Sequence, residues 1–141
     1  MEREKATGPG SNAERARLQE LRSALLALHK SLVDSERIEY EKVIGKIQSP
    51  AQFLQLLTTD PWFAWLSPLS RLIVSIDEAL DEKEPLSTRS AREFANQAEH
   101  LLVAAEQGEG FASHYHVALQ RDPGVVLAHA EVAKLRKKSR Q

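Results

Sequence analysis

The chain has 141 residues, of which 42 % are hydrophobic and 28 % are charged, and its net charge is −1. This balance is typical of one globular domain with its own core, and the near-neutral charge gives no electrostatic reason to expect nucleic-acid binding. The absence of cysteine excludes disulfides, thiol nucleophiles and cysteine-ligated metal sites. No apolar run approaches the roughly 20 residues that span a bilayer, and the charged N-terminus does not resemble a secretory signal. We therefore expect a cytoplasmic protein that does not contact the membrane.

Apolar residues recur at three- and four-residue steps, which is the period of an amphipathic α-helix. Residues 1–12 have no such face and are predicted to form a disordered arm. A long first helix is predicted from Ala13 to Gln48, with Gly45 marking a bend or a close helix contact. Part of this helix has the three–four alternation of a coiled-coil seam, formed by Leu18, Leu21, Leu25, Leu28 and Leu32.

The predicted length of the first helix bears on the oligomeric state. A helix over 13–48 would be roughly 54 Å long, whereas a compact domain of this size spans only about 37 Å. Its N-terminal turns must therefore project, fray, bend or pack on another chain. A homodimer through this helix is one hypothesis, and a frayed helix end is the alternative.

The later helices are marked by capping residues that stand directly before a proline: Ser49-Pro50, Asp60-Pro61, Ser67-Pro68 and Asp122-Pro123. Such pairs are typical of helix starts. Gln52, three residues after Ser49, completes the spacing of a capping box. Gly108 and Gly110 are expected to break the chain. Together these signals predict helices over 50–58, 61–66, 68–82, 88–107, 111–120 and 123–137.

No segment alternates polar and apolar residues in the way that a half-buried strand requires. We therefore predict an all-α protein with a single domain over 13–137, followed by a basic C-terminal tail at 138–141. The expected architecture is an irregular antiparallel helical bundle with four main helices and short accessory helices.

Six polar side chains fall in phase with apolar stripes and are predicted to face the interior: His29, Glu36, Tyr40, Asp77, His114 and His129. If the helices that carry them meet around one cavity, they would form a cluster that binds a small molecule or a metal ion. The alternative is that each histidine is a structural residue, satisfied by a neighbouring carboxylate or backbone carbonyl.

Known metal and catalytic signatures are missing from the sequence. Neither paired Glu-x-x-His motifs nor His-Glu-x-x-His occurs, and His114 and His116, two residues apart on a helix, point away from each other. We therefore predict no metal ion and no cofactor. A Gly-rich phosphate loop, a nucleophile elbow and a dinucleotide fingerprint are also absent, so no motif favours an enzyme.

Both tryptophans and a phenylalanine lie within four positions, at Trp62, Phe63 and Trp65. An aromatic wedge between helices is the expected role, because such side chains bury large apolar areas. The alternative is an exposed anchor for a partner, or one wall of a ligand pocket.

Several segments of the chain form a recognisable pattern: Leu28-His29-Lys30, Glu36-Arg37, Tyr40-Glu41, Ser49-Pro50, Asp60 to Leu66, and Asp122 to Val126 with Ala128-His129. Together they resemble a family of short bacterial helical proteins to which no activity is assigned. The resemblance covers roughly residues 20–135. It implies a bacterial helical bundle and no site residues.

The leading functional hypothesis is a small helical interaction or regulatory module that binds a protein partner, or itself, through an apolar patch. It predicts several hundred Å² of exposed apolar surface. The alternative is a bundle that binds a small molecule or metal in a polar-lined interior around His29, Glu36 and His129, which predicts an enclosed cavity with convergent polar groups. A catalytic function has no nucleophile–base pair that the spacing supports.

Overall fold

The computed structural model describes residues 9–83, 86–103 and 110–139. Over these ranges the chain is helical and contains no β-strand, which confirms the predicted all-α class. In chain order the elements are α1 Pro9–Val43, α2 Pro50–Thr59, a 3₁₀ helix Pro61–Leu66, α3 Ser67–Asp81, α4 Thr88–Leu101, α5 Phe111–Arg121 and α6 Pro123–Ser139. None of the helices described combines the length and apolar character needed to cross a membrane.

The first helix differs from the prediction at both ends. It begins at Pro9 rather than Ala13, and residues 1–8 of the predicted arm lie outside the described ranges. It ends at Val43 because Gly45 has a φ of +148°, which cannot continue an α-helix. A Cβ atom at Gly45 would meet no atom within 4 Å. The glycine therefore marks the end of the helix and not a close contact between helices.

Three of the four predicted capping residues act as predicted. The Ser49 Oγ accepts the Gln52 N–H at 3.1 Å, and the Gln52 Oε1 accepts the Gln48 N–H at 2.6 Å, so the side chain reaches one residue further back than in the usual box. Asp60 and Asp122 each accept the N–H two residues ahead at 2.8 Å. Ser67 differs, because α3 continues directly from the 3₁₀ helix without a side-chain cap.

The boundaries of the last three helices are close to the prediction, with one exception. α4 ends at Leu101 rather than at residue 107, and the Leu102 N–H closes its last turn on the Ala98 carbonyl at 2.9 Å. Gly110, with a φ of +84°, precedes α5, whereas Gly108 lies outside the described residues. α6 runs to Ser139, and residues 140–141 of the predicted tail are likewise outside them.

The core is built around α1, which contacts α3, α4 and α6. The five leucines predicted as a coiled-coil seam, Leu18, Leu21, Leu25, Leu28 and Leu32, are each at most 2 % exposed and belong to this core. Burying each leucine contributes about 1.5–3 kcal/mol relative to leaving it exposed. The seam is thus filled within one chain. The homodimer remains a prediction, and it would need a different surface of α1.

Polar residues at seven-residue steps along α1 bond to α3. The partners descend along α3 as the residue numbers rise along α1: Arg15 with the Leu80 carbonyl, Arg22 with the Asp77 carboxylate, and His29 with the Ser70 hydroxyl. Because seven residues complete two helical turns, the three contacts lie along one side of α1. They mark the register in which α3 packs against α1.

Candidate functional site

A half-enclosed cavity of about 520 Å³ lies where α1, α2, the 3₁₀ helix and α3 meet. Its apolar lining comes from Leu57, Phe63, Ala64 and Leu66. Its polar lining comes from His29, Thr58, Thr59, Asp60, Ser67 and Ser70. The volume falls within the roughly 300–1,000 Å³ of small-molecule sites, and mixed walls of this kind are common in them.

The His29–Ser70 pair joins two helices at the cavity. The His29 Nε2 and the Ser70 Oγ are 2.8 Å apart, and the Ser70 Oγ also lies 3.4 Å from the Leu66 carbonyl oxygen. Burial lowers the pKa of His29, which favours the neutral imidazole. A neutral ring has one N–H donor and one acceptor nitrogen. When the Ser70 hydroxyl donates to the Leu66 carbonyl, the His29 Nε2–H donates to the Ser70 oxygen.

Two further hydroxyls of the cavity wall, those of Thr58 and Thr59, are donors to the backbone of α2. The Thr58 hydroxyl lies 3.0 Å from the Gln55 carbonyl oxygen, and the Thr59 hydroxyl lies 2.7 Å from the same atom. Asp60 is half-buried, and its Oδ1 accepts the Trp62 N–H at 2.8 Å. Since the threonine protons are engaged, these three side chains have only oxygen lone pairs left to offer a ligand.

Two of the predicted cluster residues form ion pairs away from the cavity. Glu36 is buried, and its Oε2 accepts a hydrogen bond of 2.8 Å from the Arg121 guanidinium of α5. The same guanidinium donates to the buried Ser35 hydroxyl at 2.8 and 3.1 Å. Asp77 pairs with Arg22, and both of these side chains are more than one-third exposed.

The remaining three predicted residues pack against aromatic rings. Tyr40 contacts Trp62 and Phe63, with ring centroids 5.5 and 5.6 Å apart, and the exposed His114 stacks on Trp65 at 5.2 Å. The His129 Nδ1 lies 2.6 Å from the Tyr115 hydroxyl. Burial lowers the pKa of His129, and the nearby Arg136 charge lowers it further; burial raises that of Tyr115.

The structure does not bring the six predicted residues together. Within the described ranges no hydrogen bond or ion pair joins two of them, and of the six only His29 lines the cavity. Nor do three His, Asp or Glu side chains in this part of the chain lie close enough to hold a metal ion.

The aromatic segment forms a wedge. Phe63 and Trp65 are 2 % and 8 % exposed, and Trp62 is half-buried. Trp62 packs on Tyr40 at the end of α1, whereas Trp65 packs on Phe111 of α5 at 5.2 Å. Neither buried indole N–H finds an acceptor among the described residues. These rings therefore fill the space between helices, and Phe63 and Trp65 are not exposed anchors.

Three residues that line the cavity or pair with a buried side chain were not predicted to do so from the sequence, namely Ser70, Arg121 and Asp60. Ser70 is in phase with Ile73 and Asp77, and Arg121 stands three residues after the buried Ala118, so the periodicity that singled out Asp77 also applied to them. Asp60 was noticed only as a helix cap. The position of a residue in the helical repeat indicates whether its side chain points inward, but it does not identify the partner of that side chain.

Comparisons of the chain with models of protein families, with curated proteins and with solved structures find no match.

Proposed function

We propose that this protein binds a small organic molecule in the cavity between α1, α2, the 3₁₀ helix and α3. The observation that carries the proposal is the His29–Ser70 hydrogen bond at the wall of a half-enclosed space of about 520 Å³. Ligand sites combine apolar walls, which supply affinity, with a few directional polar groups, which supply specificity. This cavity has both kinds of lining.

The lining residues are held by regular structure. His29 lies within α1 and Ser70 within α3, and the Asp60 side chain is fixed by its bond to the Trp62 N–H. The descending order of α3 partners along α1 supports an antiparallel arrangement of these two helices, as in the bundle that the sequence predicts. Bundles of this type place ligand sites between facing helices, where the backbone moves little on binding.

The protein-interaction hypothesis has weaker support in the structure. The leucine seam, Phe63 and Trp65 are buried in the core. The large apolar side chains that are exposed in the described ranges are spread over α1, α2, α3, α5, α6 and two connections. Scattered exposure of this kind is usual on a monomeric protein and does not define a binding patch.

The cavity proposal is tested by two-dimensional ¹H–¹⁵N NMR with a library of small organic fragments. We expect a subset of fragments to shift the amide signals of Thr58, Ala64 and Ser70. The Ala64→Trp variant places a large ring at the exposed cavity wall and should abolish these shifts. Ala130→Trp is the matched control, since Ala130 is also exposed but lies on α6.

Two results would contradict the proposal. One is a library in which no fragment shifts the cavity amides of the wild-type protein. The other is an unchanged set of shifts in Ala64→Trp, because fragments that tolerate a blocked cavity must bind somewhere else.

A second candidate function is binding of a protein partner, or of a second copy, through the N-terminal helix. It is favoured by an open groove of about 700 Å³ between α1 and α6, lined by Ala16, Ser23, Ala27, Ala128 and Leu135 among others. Small side chains allow the backbone of another helix to approach closely.

Sedimentation velocity over a wide concentration range tests self-association. A mass that rises with concentration in the wild type but not in Ala27→Arg would support it, and a monomer throughout would refute the homodimer.

A further inference from the structure

We infer that the ligand of the cavity is a small organic cation, with an ammonium or amidinium group bound by Asp60 and the threonine oxygens and an apolar body against Leu57, Ala64 and Leu66. The inference rests on the proposed function and names the class of ligand. It follows from the charge of the lining and from the direction of its hydrogen bonds.

The charge of the lining disfavours anions. Asp60 is the one formally charged side chain among the described residues that line the cavity, and neither lysine nor arginine contributes to its wall. No ion pair in the described ranges involves Asp60. Burial also lowers the pKa of His29, so the imidazole does not supply a compensating positive charge near neutral pH. A phosphate or carboxylate would face an unpaired carboxylate in a partly desolvated space.

The direction of the hydrogen bonds favours a ligand rich in N–H donors. The hydroxyl protons of Thr58 and Thr59 are already donated to the Gln55 carbonyl, which leaves their oxygens as acceptors. Asp60 can only accept when ionised, and the one hydrogen bond that its side chain makes within the described ranges, to the Trp62 N–H, leaves further lone pairs free. A primary ammonium has three donors and no acceptor, so it complements this set. Hydrogen bonds between charged groups are also roughly twice as strong as neutral ones.

The experiment compares three probes with the same aromatic body and different charge: phenethylamine, 2-phenylethanol and 3-phenylpropionate. Dissociation constants are measured by titration of the cavity amides in ¹H–¹⁵N spectra. We expect the amine to bind about tenfold more tightly than the alcohol, which corresponds to one additional charge-assisted interaction. The propionate should bind most weakly.

Asp60→Asn tests the role of the charge without removing the cap. Asparagine retains an oxygen that can accept the Trp62 N–H and is an equally good capping residue. In this variant the amine and the alcohol should bind within about twofold of each other. Asp122→Asn is the matched control, because Asp122 also precedes a proline and accepts the N–H two residues ahead at 2.8 Å. It should leave the preference for the amine unchanged. Thr59→Val, which removes one hydroxyl group and with it one acceptor oxygen of the cavity wall, should reduce that preference without changing any charge.

The outcomes separate this inference from the proposed function. Equal binding of amine and alcohol, or tighter binding of the propionate, overturns the cation and leaves the cavity as a ligand site. An amine preference that survives in Asp60→Asn also overturns the inference. If none of the three probes shifts the cavity amides while other fragments do, the ligand class is wrong; if no fragment does so, the proposed function itself fails.

Discussion

Replacing Arg121 with methionine should destabilise the protein, because it breaks a polar contact that is largely buried. The guanidinium of Arg121 makes three hydrogen bonds, two to the Ser35 hydroxyl and one to the Glu36 carboxylate. The Glu36 side chain is 11 % exposed, and that of Arg121 is 25 % exposed. Arg121→Met therefore leaves a carboxylate almost completely buried and without its counter-ion.

The expected loss follows from this geometry. Removing one partner of a fully buried pair costs about 3–5 kcal/mol, because the remaining charge is desolvated and unpaired. Water can reach the partly exposed Arg121 position, so we expect a loss at or just below the lower limit of that range, about 2–3 kcal/mol. Urea unfolding followed by circular dichroism at 222 nm measures the change as a shift of the midpoint at a constant m value.

Two further variants identify the cause of the loss. Glu36→Gln removes the buried negative charge that has lost its counter-ion. The double variant Glu36→Gln with Arg121→Met should therefore be more stable than Arg121→Met alone. Arg89→Met, at an ion pair with Glu93 whose side chains are 90 % and 60 % exposed, should change stability little. A loss below about 1 kcal/mol in Arg121→Met, or a double variant that is less stable than the single one, would refute the argument.

Three other outcomes are expected. Gly45→Ala should lower the free energy of unfolding by about 1–3 kcal/mol, because its φ of +148° is unfavourable for alanine although space is available; an unchanged urea midpoint would contradict this. Leu28→Ala should cost about 3–5 kcal/mol, since Leu28 is 0 % exposed, and far more than Leu26→Ala at 37 % exposure; similar losses would place the leucine seam outside the core. Burial lowers the pKa of His29, so the unfolded chain takes up a proton at a higher pH than the folded chain. The contribution of His29 to stability should therefore be fully present above the ordinary pKa of 6.5 and be lost as the pH drops from there towards the lowered pKa. Urea midpoints measured from pH 7.5 to 5 should fall less in His29→Gln than in the wild type. An equal fall in both proteins would assign the pH dependence to other groups such as His129.

Local sequence patterns predicted most of the helices. Ser49, Asp60 and Asp122 accept the backbone N–H groups that their position before a proline suggested, and the five leucines of α1 face the core. These features depend on residues a few positions apart, whose mutual geometry is the same in any α-helix. The end of α1 was misplaced because helix periodicity continues through Ile47, whereas Gly45 leaves helical geometry.

The partners of the inward polar residues could not be derived from such patterns. His29 and Glu36 lie seven residues apart on α1, yet His29 bonds to Ser70, 41 residues away, and Glu36 to Arg121, 85 residues away. Each pairing depends on the axial displacement of one helix relative to the helix against which it packs. That displacement is set by how the side chains of all the packed helices interlock, a property of the whole core.

The cavity also depends on contacts between distant segments that local sequence patterns do not predict. Its hydroxyls, carboxylate and imidazole belong to α1, α2, α3 and the segment between Asp60 and Leu66, and no motif in the sequence connects them. Helix periodicity alone determined that the chain folds as helices with a few titratable groups turned inward. Only the packing of α1 against α3 and the 3₁₀ helix decided which of those groups share a space, because contacts between distant segments have no fixed spacing along the chain.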